Sequence, residues 1–344
     1  MVKQESVTCQ GSETQRNSQL QQQISDPLSR TLRTDLEALN TRLIEEAFKN
    51  KVVVDINVTK DLFDENSHWK GRNMGKVADL GFWDDSKPRM VVSTDGIVLL
   101  AVFPHYLAEH CHNQLFQAMM EFGQDVNVNI RREAADENSR DNPASYERLD
   151  FDDEIHGVFQ LVLLWKAIGH TDLLAGPSKD MVKNCSSFTK ASELLAKLRT
   201  ISERIDDMYK KLDPAQHDFL VDFRARLQKK YAHYRAFGKL DPTFFIGRSC
   251  IYNRATPEHF DSRDPKGSLT PLLTMGKYLW GRLHLPQFGL DVDYGPATMV
   301  FVRGGCIKHG VSYKGGQRIC IAHFLHAYML KDVGLPEPPL SPYT

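Results

Sequence analysis

The sequence predicts an α+β fold in which a barrel or jelly-roll core of short strands is buttressed by helices. Three observations predict it. Apolar residues recur at helical spacing through much of the chain up to about residue 237. From Phe244 onward the period becomes that of strands. Those strands are short and follow one another closely, with Gly, Pro and Asp between them, as in a barrel or double-sheet jelly roll.

Taken in order, residues 1–28 are rich in Gln, Ser and Thr with little to bury, which predicts a disordered polar arm. Leu36, Leu39, Leu43, Ile44 and Phe48 then form one apolar face, predicting an amphipathic helix over 33–49. VVVDINV (52–58) predicts a short strand. MVVST and IVLLAVF flank Asp95-Gly96, the turn chemistry of a hairpin. A helix is predicted over 106–122. It carries His110, Cys111 and His112, with His105 just before it, but adjacent helical residues point about 100° apart and cannot converge on one ion. Residues 124–154 are polar and acidic, a surface loop or a loop laid over a site. HGVFQLVLLWKAI (156–168) predicts a buried helix, and 191–212 another amphipathic one. Asp213-Pro214 supplies an N-cap and an N1 proline for a third helix reaching about Phe237. Its stripe is Leu220, Phe223, Leu227, Tyr231 and Tyr234; its other side offers Arg226, Lys229, Lys230 and His233 to solvent or to phosphates. FFIGRSCIY, SLTPLLTM, LHLPQF, TMVFV and RICIAHFLH are the predicted strands, and PEPPLSP ends regular structure. The organisation expected is the arm 1–28 and one domain, 29–344, with helical and hairpin support over 30–240 and the jelly-roll core over 244–328.

Charge in bulk excludes little, because 43 basic residues face 44 acidic ones. Its distribution is uneven: residues 181–282 hold 19 Lys/Arg against 11 Asp/Glu, and residues 134–154 hold 2 against 8. That pattern suits a polyanion-binding face or an ordinary solvated surface. The six cysteines form no CxxC pair, so free thiols in a reducing compartment are expected. No apolar run approaches the length of a membrane span and no apolar leader opens the chain, so a soluble intracellular protein is expected.

Chemistry concentrates between Tyr252 and His326. His259 and Asp261 form a His-x-Asp pair, and His309 follows after an apolar strand and Gly-Gly. Arg318 comes nine residues later. Two imidazoles and a carboxylate on one metal leave positions open, as in non-haem Fe(II) oxygenases. An arginine placed near them can grip a carboxylate co-substrate. Strand parity extends the site, since i and i+2 share a face. Arg318, Cys320, Ala322, Phe324 and His326 therefore face one way, and Ile319, Ile321, His323 and Leu325 the other. The residues alone leave open a three-ligand zinc site, or a barrel with incidental polar groups.

Over about 85–150 and 244–328 the chain also resembles the TET/JBP family, the 2-oxoglutarate- and Fe(II)-dependent dioxygenases of methylated pyrimidines in DNA, in its short fungal and protist form. Arg254 stands five residues before the His-x-Asp pair and Asp264 three after it. Phe324 and His326 close the last strand, and the Asp95-Gly96 hairpin leads to a Pro and a helix. The resemblance implies a double-stranded β-helix (jelly-roll) core. It implies Fe(II) on His259, Asp261 and His309, with O2 as co-substrate. It implies 2-oxoglutarate held by Arg318 at its distal carboxylate and by Arg254 at its keto-acid end. A flipped 5-methylcytosine from double-stranded DNA would meet Asp264, Phe324, His326 and, from RDNPASY, Asn142. The implied reaction yields 5-hydroxymethylcytosine and further oxidation products. It would proceed in the nucleus with no membrane and no required protein partner. The alternatives are an oxygenase of N6-methyladenine, of a small molecule or of a protein, and a catalytically silent DNA-binding relative.

Overall fold

The computed structural model describes residues 27–64, 68–71, 74–130, 142–146, 154–166 and 174–343. All but the last two residues of the expected polar arm, and much of the acidic loop, lie outside that set. The described chain opens with helix α1 (Pro27–Lys49), strand β1 (Lys51–Val54) and a short helix α2 (Val58–Leu62). Strands β2 (Gly81–Trp83), β3 (Arg89–Ser93) and β4 (Val98–Phe103) follow, then helix α3 (Glu109–Asp125) and strand β5 (Gly157–Val162). Three helices come next: α4 (Cys185–Leu212), α5 (Pro214–Lys230) and α6 (Ala232–Phe237). The remaining elements are β6 (Gly247–Tyr252), β7 (Thr256–His259), β8 (Thr270–Leu285), β9 (Leu290–Asp293), β10 (Met299–Val302), β11 (His309–Phe324) and helix α7 (Ala327–Asp332).

The strands join in the order β1-β3-β4-β10-β8-β11-β6-β5, with β7 added to β11 and β9 linking β2 to β8. At the centre are two sixteen-residue strands, β8 and β11, paired antiparallel from Gly310 opposite His284 to Ala322 opposite Leu272. The ribbon has glycine corners. Gly276, Gly315 and Gly316 have φ of 138°, 71° and 93°, a region closed to most side chains. A Cβ on Gly276 would collide with Gln317 O across the ladder, and one on Gly316 with Lys277 O. Such a bent ribbon, flanked by shorter strands and backed by helices, is the α+β jelly-roll architecture expected.

The helices pack on one side of the sheet. Leu194, Leu198 and Ile205 of α4, Leu220, Phe223 and Leu227 of α5, and Tyr234 of α6 join Phe301 and Ile319 in one apolar cluster. A second cluster gathers Val91, Leu99, Leu283, Phe288 and Val300. Asp95 of the hairpin turn also accepts hydrogen bonds from Val58 N and Thr59 N at 3.0 and 2.8 Å, capping α2. No helix among the described residues is long and apolar enough to cross a membrane.

Several predicted elements differ. The apolar run after His156 is strand β5, not a helix. Gly157 has φ of 138°, and the six residues that follow from it pair with β6 from Gly157 opposite Tyr252 to Val162 opposite Gly247. An unbroken apolar run has no period, so pairing with a neighbour decides its form. SLTPLLTM and LHLPQF are parts of one strand, β8, with Pro286–Phe288 as a 3-10 turn. The predicted strand 52–58 ends at Val54, and Val58 opens α2. The predicted strand RICIAHFLH begins nine residues earlier, at His309. The helix predicted to reach Phe237 breaks at Tyr231, where φ −117° and ψ 104° are extended.

Candidate metal centre and its cavity

β7 brings the first histidine to the second. It pairs with β11 so that His259 and His309 are direct partners, and their ring centroids stand 4.4 Å apart. Asp261, two residues beyond His259, turns in beside them. Its Oδ1 is 3.6 Å from His259 Nε2 and its Oδ2 is 3.9 Å from His309 Nε2. One donor atom from each of the three lies within 4.8 Å of the others, the only such group among the described residues. The back of each ring is fixed: His259 Nδ1 donates to Pro257 O at 2.9 Å, and His309 Nδ1 to Ile307 O at 3.1 Å. Both Nε2 atoms therefore face Asp261, the aim a metal ligand needs. Gly304 completes the cradle. Its carbonyl accepts from Asp261 N at 2.8 Å, and a Cβ there would collide with Asp261 Oδ2.

The electrostatics suit a cation. Burial works against ionising Asp261, but His309 and His259 outweigh it and hold the carboxyl below its usual range. Burial also opposes protonation of His259, yet the Asp261 carboxylate and the Pro257 carbonyl prevail and raise it. Burial wins at His309, whose imidazole is pushed below its usual value.

The triad opens onto a cavity of about 530 Å³, within the size range of small-molecule sites. Arg318 lines it and is 1% exposed. Its guanidinium lies over the rings of Tyr294 and Tyr313, at 5.2 and 5.7 Å from their centroids. Nε and Nη2 have no hydrogen-bond partner, and no carboxylate among the described residues pairs with it. A buried guanidinium with two unpartnered nitrogens is suited to an anion. Asn253, with φ of 51°, clamps the arginine's backbone: its Oδ1 accepts from Arg318 N at 2.6 Å and its N donates to Arg318 O at 2.8 Å. The next residue, Arg254, also lines the cavity, its Nη1 3.4 Å from Thr256 Oγ1. The donor set thus fits Fe(II) and a carboxylate co-substrate.

Phe324 and His326 stack in the same cavity, ring centroids 5.0 Å apart and 24° from parallel. Asp264 lies behind, its Oδ1 3.2 Å from His326 Nδ1 and its Oδ2 accepting from Leu325 N at 3.3 Å. Burial and the Asp261 charge push Asp264 well above the usual carboxylate range. Burial and the nearby Arg263 charge push His326 down to about 4. Since Leu325 O lies 3.1 Å from His326 Nδ1, the proton sits on Nδ1. Nε2, which has no partner, is an acceptor. On the other face Ile319, Ile321 and Leu325 are at most 1% exposed. His323 is as deeply buried and its Nδ1 donates to Pro271 O at 3.2 Å, but it departs from the parity reading in that it also lines the cavity, with Nε2 unpartnered.

Asn142 is not brought into the cavity lining. Its Oδ1 accepts from Ala144 N at 2.9 Å, capping a turn whose Tyr146 bridges to Arg254. The basic side of α5 and α6 is largely engaged within the protein. Arg226 pairs with Asp222 at 2.9 Å, Lys230 with Asp332 at 2.7 Å, and His233 Nε2 with Leu163 O at 3.1 Å. His112, in the histidine-rich helix α3, accepts from Gly276 N at 3.1 Å, at a corner of the β8–β11 ribbon. Residues that sequence reasoning missed are Asn253, Gly304, Tyr294 and Trp165. Trp165 meets His326 edge-on at 5.9 Å. Only Gly304 left a signal, the Gly-Gly before the distal histidine.

Residues 170–327 match the family model of Tet_JBP, the oxygenase domain of the 2OGFeDO superfamily. No curated protein matches the sequence. Among solved structures, NgTET1 in complex with 5mC DNA is similar with a TM-score of 0.52 at 13% identity, over 86% of this chain and 90% of that one. A prolyl hydroxylase from Trichoplax adhaerens, in complex with a hypoxia inducible factor oxygen degradation domain peptide, is matched with a TM-score of 0.34 at 11% identity, over 71% of this chain and 89% of that one.

Proposed function

From the premise that this chain carries a Tet_JBP oxygenase domain, which works with Fe(II), 2-oxoglutarate and O2, we propose that it oxidises 5-methylcytosine in double-stranded DNA to 5-hydroxymethylcytosine and beyond. The observation that carries this reading is the single cavity in which the triad, Arg318 and the Phe324–His326 pair meet. It has a metal end, a carboxylate end and an aromatic face with one polar acceptor.

His259, Asp261 and His309 hold the metal through two Nε2 atoms and a carboxylate oxygen. Arg318 takes the distal carboxylate of 2-oxoglutarate, and Arg254 steadies its keto-acid end. When bound, the iron with 2-oxoglutarate and O2 supplies the oxidising power to hydroxylate a methyl group. The protein's remaining task is to present that methyl. A base inside a duplex is out of reach, so the nucleotide is extruded at a cost of a few kcal/mol. Stacking on Phe324, worth ~1–3 kcal/mol per base, offsets that cost. His326 Nε2 accepts from the cytosine N4 amino group, a donor that thymine lacks. Asp264 holds the His326 ring in place. Such a substrate places the working protein in the nucleus. The support helices and the core act as one domain, 29–344, around this cavity.

The test is incubation with Fe(II), 2-oxoglutarate and a duplex containing 5-methylcytosine, followed by digestion and mass spectrometry of the nucleosides. Wild-type protein is expected to yield oxidised nucleosides, and Asp261→Ala none while remaining folded. Full activity in Asp261→Ala would remove the metal assignment. Succinate without oxidised nucleoside would point to a small-molecule or protein substrate. Oxidation only of an N6-methyladenine duplex would move the base specificity. No turnover at all would indicate a silent DNA-binding relative. His326→Ala is expected to lose base oxidation but retain metal and 2-oxoglutarate binding.

A further inference from the structure

After α7 the chain runs over 335–343 without helix or strand, and Pro336, Pro338, Pro339 and Pro342 favour an extended path. This stretch is tied to three parts of the molecule. Ser341 Oγ donates to Asp213 Oδ1 at 2.6 Å. Gln216, in the first turn of α5, donates through Nε2 to Pro339 O at 3.1 Å and to Gly267 O at 3.0 Å. Tyr343 N donates to Gly96 O at 2.8 Å, and its ring centroid lies 4.8 Å from that of Phe48. Leu340 sits so close to Gly267 that a Cβ there would stand 3.0 Å from its Cδ2. Gly267 belongs to the loop that runs from Asp261 and Asp264 to β8. The stretch is thus a strap across the cap of α5, the hairpin turn and the loop that carries the metal carboxylate.

Three hydroxyl residues in the chain are followed by proline: Thr256, Thr270 and Ser341. The two threonines are paired in β7 and β8, and a residue held in a ladder cannot be lifted out as a single extended chain. Ser341 is half-buried in the strap and held there by its hydroxyl proton. We infer that Ser341 is a phosphorylation site for a proline-directed protein kinase, and that its phosphate unlatches the strap. In the transfer, the Ser341 oxygen bonds to the γ-phosphorus of a nucleoside triphosphate as the bond from that phosphorus to the bridging oxygen breaks. The nucleoside diphosphate leaves, and the hydroxyl proton passes to a base on the kinase. The product lacks the hydrogen that Asp213 accepted and carries a charge of about −1.5 to −2. It would face a carboxylate that is 0% exposed, where like charges repel strongly. Arg303 cannot neutralise the newcomer, because all three of its nitrogens are engaged, with Asp213, Val98 O and Gly267 O. Release of the strap uncovers Gly267 and loosens the loop on which Asp261 is held.

The test treats the full-length protein with a proline-directed serine/threonine kinase and ATP and maps the phosphate by mass spectrometry. Native protein is expected to take phosphate at Ser341; incorporation there only after heat unfolding would overturn the inference. Hydrogen exchange at the Tyr343 amide then reads the strap. Exchange is expected to quicken about tenfold in the phosphoprotein and to stay within about twofold of wild type in Ser341→Ala, which loses the hydrogen bond but gains no charge. Equal quickening in both would make the hydroxyl a structural contact and overturn the switch; so would no quickening in the phosphoprotein. Mn(II) affinity, by isothermal titration calorimetry, is expected to fall several-fold on phosphorylation and to hold in Ser341→Ala. An unchanged affinity beside an opened strap would sever the strap from the metal loop. Wild-type protein that bound no Mn(II) would fault the metal assignment instead, with exchange at Tyr343 still deciding the strap.

Discussion

Arg303 and Arg318 are equally buried, at 0% and 1% exposure, and the protein treats their charges in opposite ways. Arg303 is saturated. Nη2 pairs with Asp213 Oδ2 at 2.7 Å, Nε donates to Val98 O at 2.6 Å, and Nη1 donates to Gly267 O. Asp213 is itself the cap of α5, accepting from Gln216 N at 3.1 Å, so the pair ties the end of β10 to a support helix. Arg248 follows the same plan, its Nη1 2.5 Å from Asp241 Oδ2. Arg318 has two tyrosine faces, two idle nitrogens and no carboxylate among the described residues. Burying an ion costs several kcal/mol unless it is paired. A charge matched from within holds the fold together; one left unmatched keeps a place for a ligand.

The sharpest test substitutes each arginine with an apolar residue. Arg303→Met strands a buried Asp213 and is expected to cost ~3–5 kcal/mol of stability, measured by denaturant unfolding. Arg318→Leu strands nothing, so the ligand-free protein is expected to keep or gain stability in the same assay. A loss comparable to that of Arg303→Met would erase the distinction. The second effect is on the ligand side. At 2-oxoglutarate a hundredfold above Kd, wild type loaded with Mn(II) should gain ~2.7 kcal/mol, and Arg318→Leu should gain almost none. Smaller again is Gly304→Ala. Its methyl collides with Asp261, not with the core, so metal affinity should fall about tenfold or more, ~1.4 kcal/mol. Unfolding of the metal-free protein should barely change.

The last test carries the comparison to the two histidines at the end of β11. Both line the cavity with Nε2 unpartnered, but His323 is the more deeply buried and packs against Phe245, ring centroids 5.3 Å apart. Burial and the Arg248 charge hold His323 well below its ordinary 6.5. Below that pH the unfolded chain takes a proton that the folded one refuses. Stability is therefore expected to fall with pH, from 6.5 downward, by at most ~1.4 kcal/mol per unit for this group. His323→Gln should flatten that slope; an unchanged slope would locate the dependence in another residue.

Much of the cavity was legible because strands have a period of two. Counting along β11 separates Arg318, Phe324 and His326 from Ile319, Ile321 and Leu325 with no knowledge of the fold, though it misses that His323 also borders the cavity. The Asp95-Gly96 hairpin and the Asp213-Pro214 helix start were legible because turns and caps depend on local chemistry. What failed depended on partners far along the chain. β5 is a strand because β6 lies beside it, and an apolar run carries no mark of that. Tyr294 could not be told from any other aromatic until Arg318 was found over its ring. Asn253 acts through a left-handed backbone turn, which its residue type permits but does not announce.

The coiled β8–β11 ribbon has a consequence for ligand length. His309 and Arg318 lie on one strand, and nine extended residues would span about 30 Å. Both reach one cavity because the ribbon bends at its glycines. On the proposed reading, the gap between metal and anchor is therefore set largely by the backbone. Adding one residue between them would turn the arginine to the helices; adding two would turn it back but shift the bend. Deletions and insertions at Gly315–Gly316 are thus the route by which such a fold would trade one dicarboxylate for a longer or shorter one.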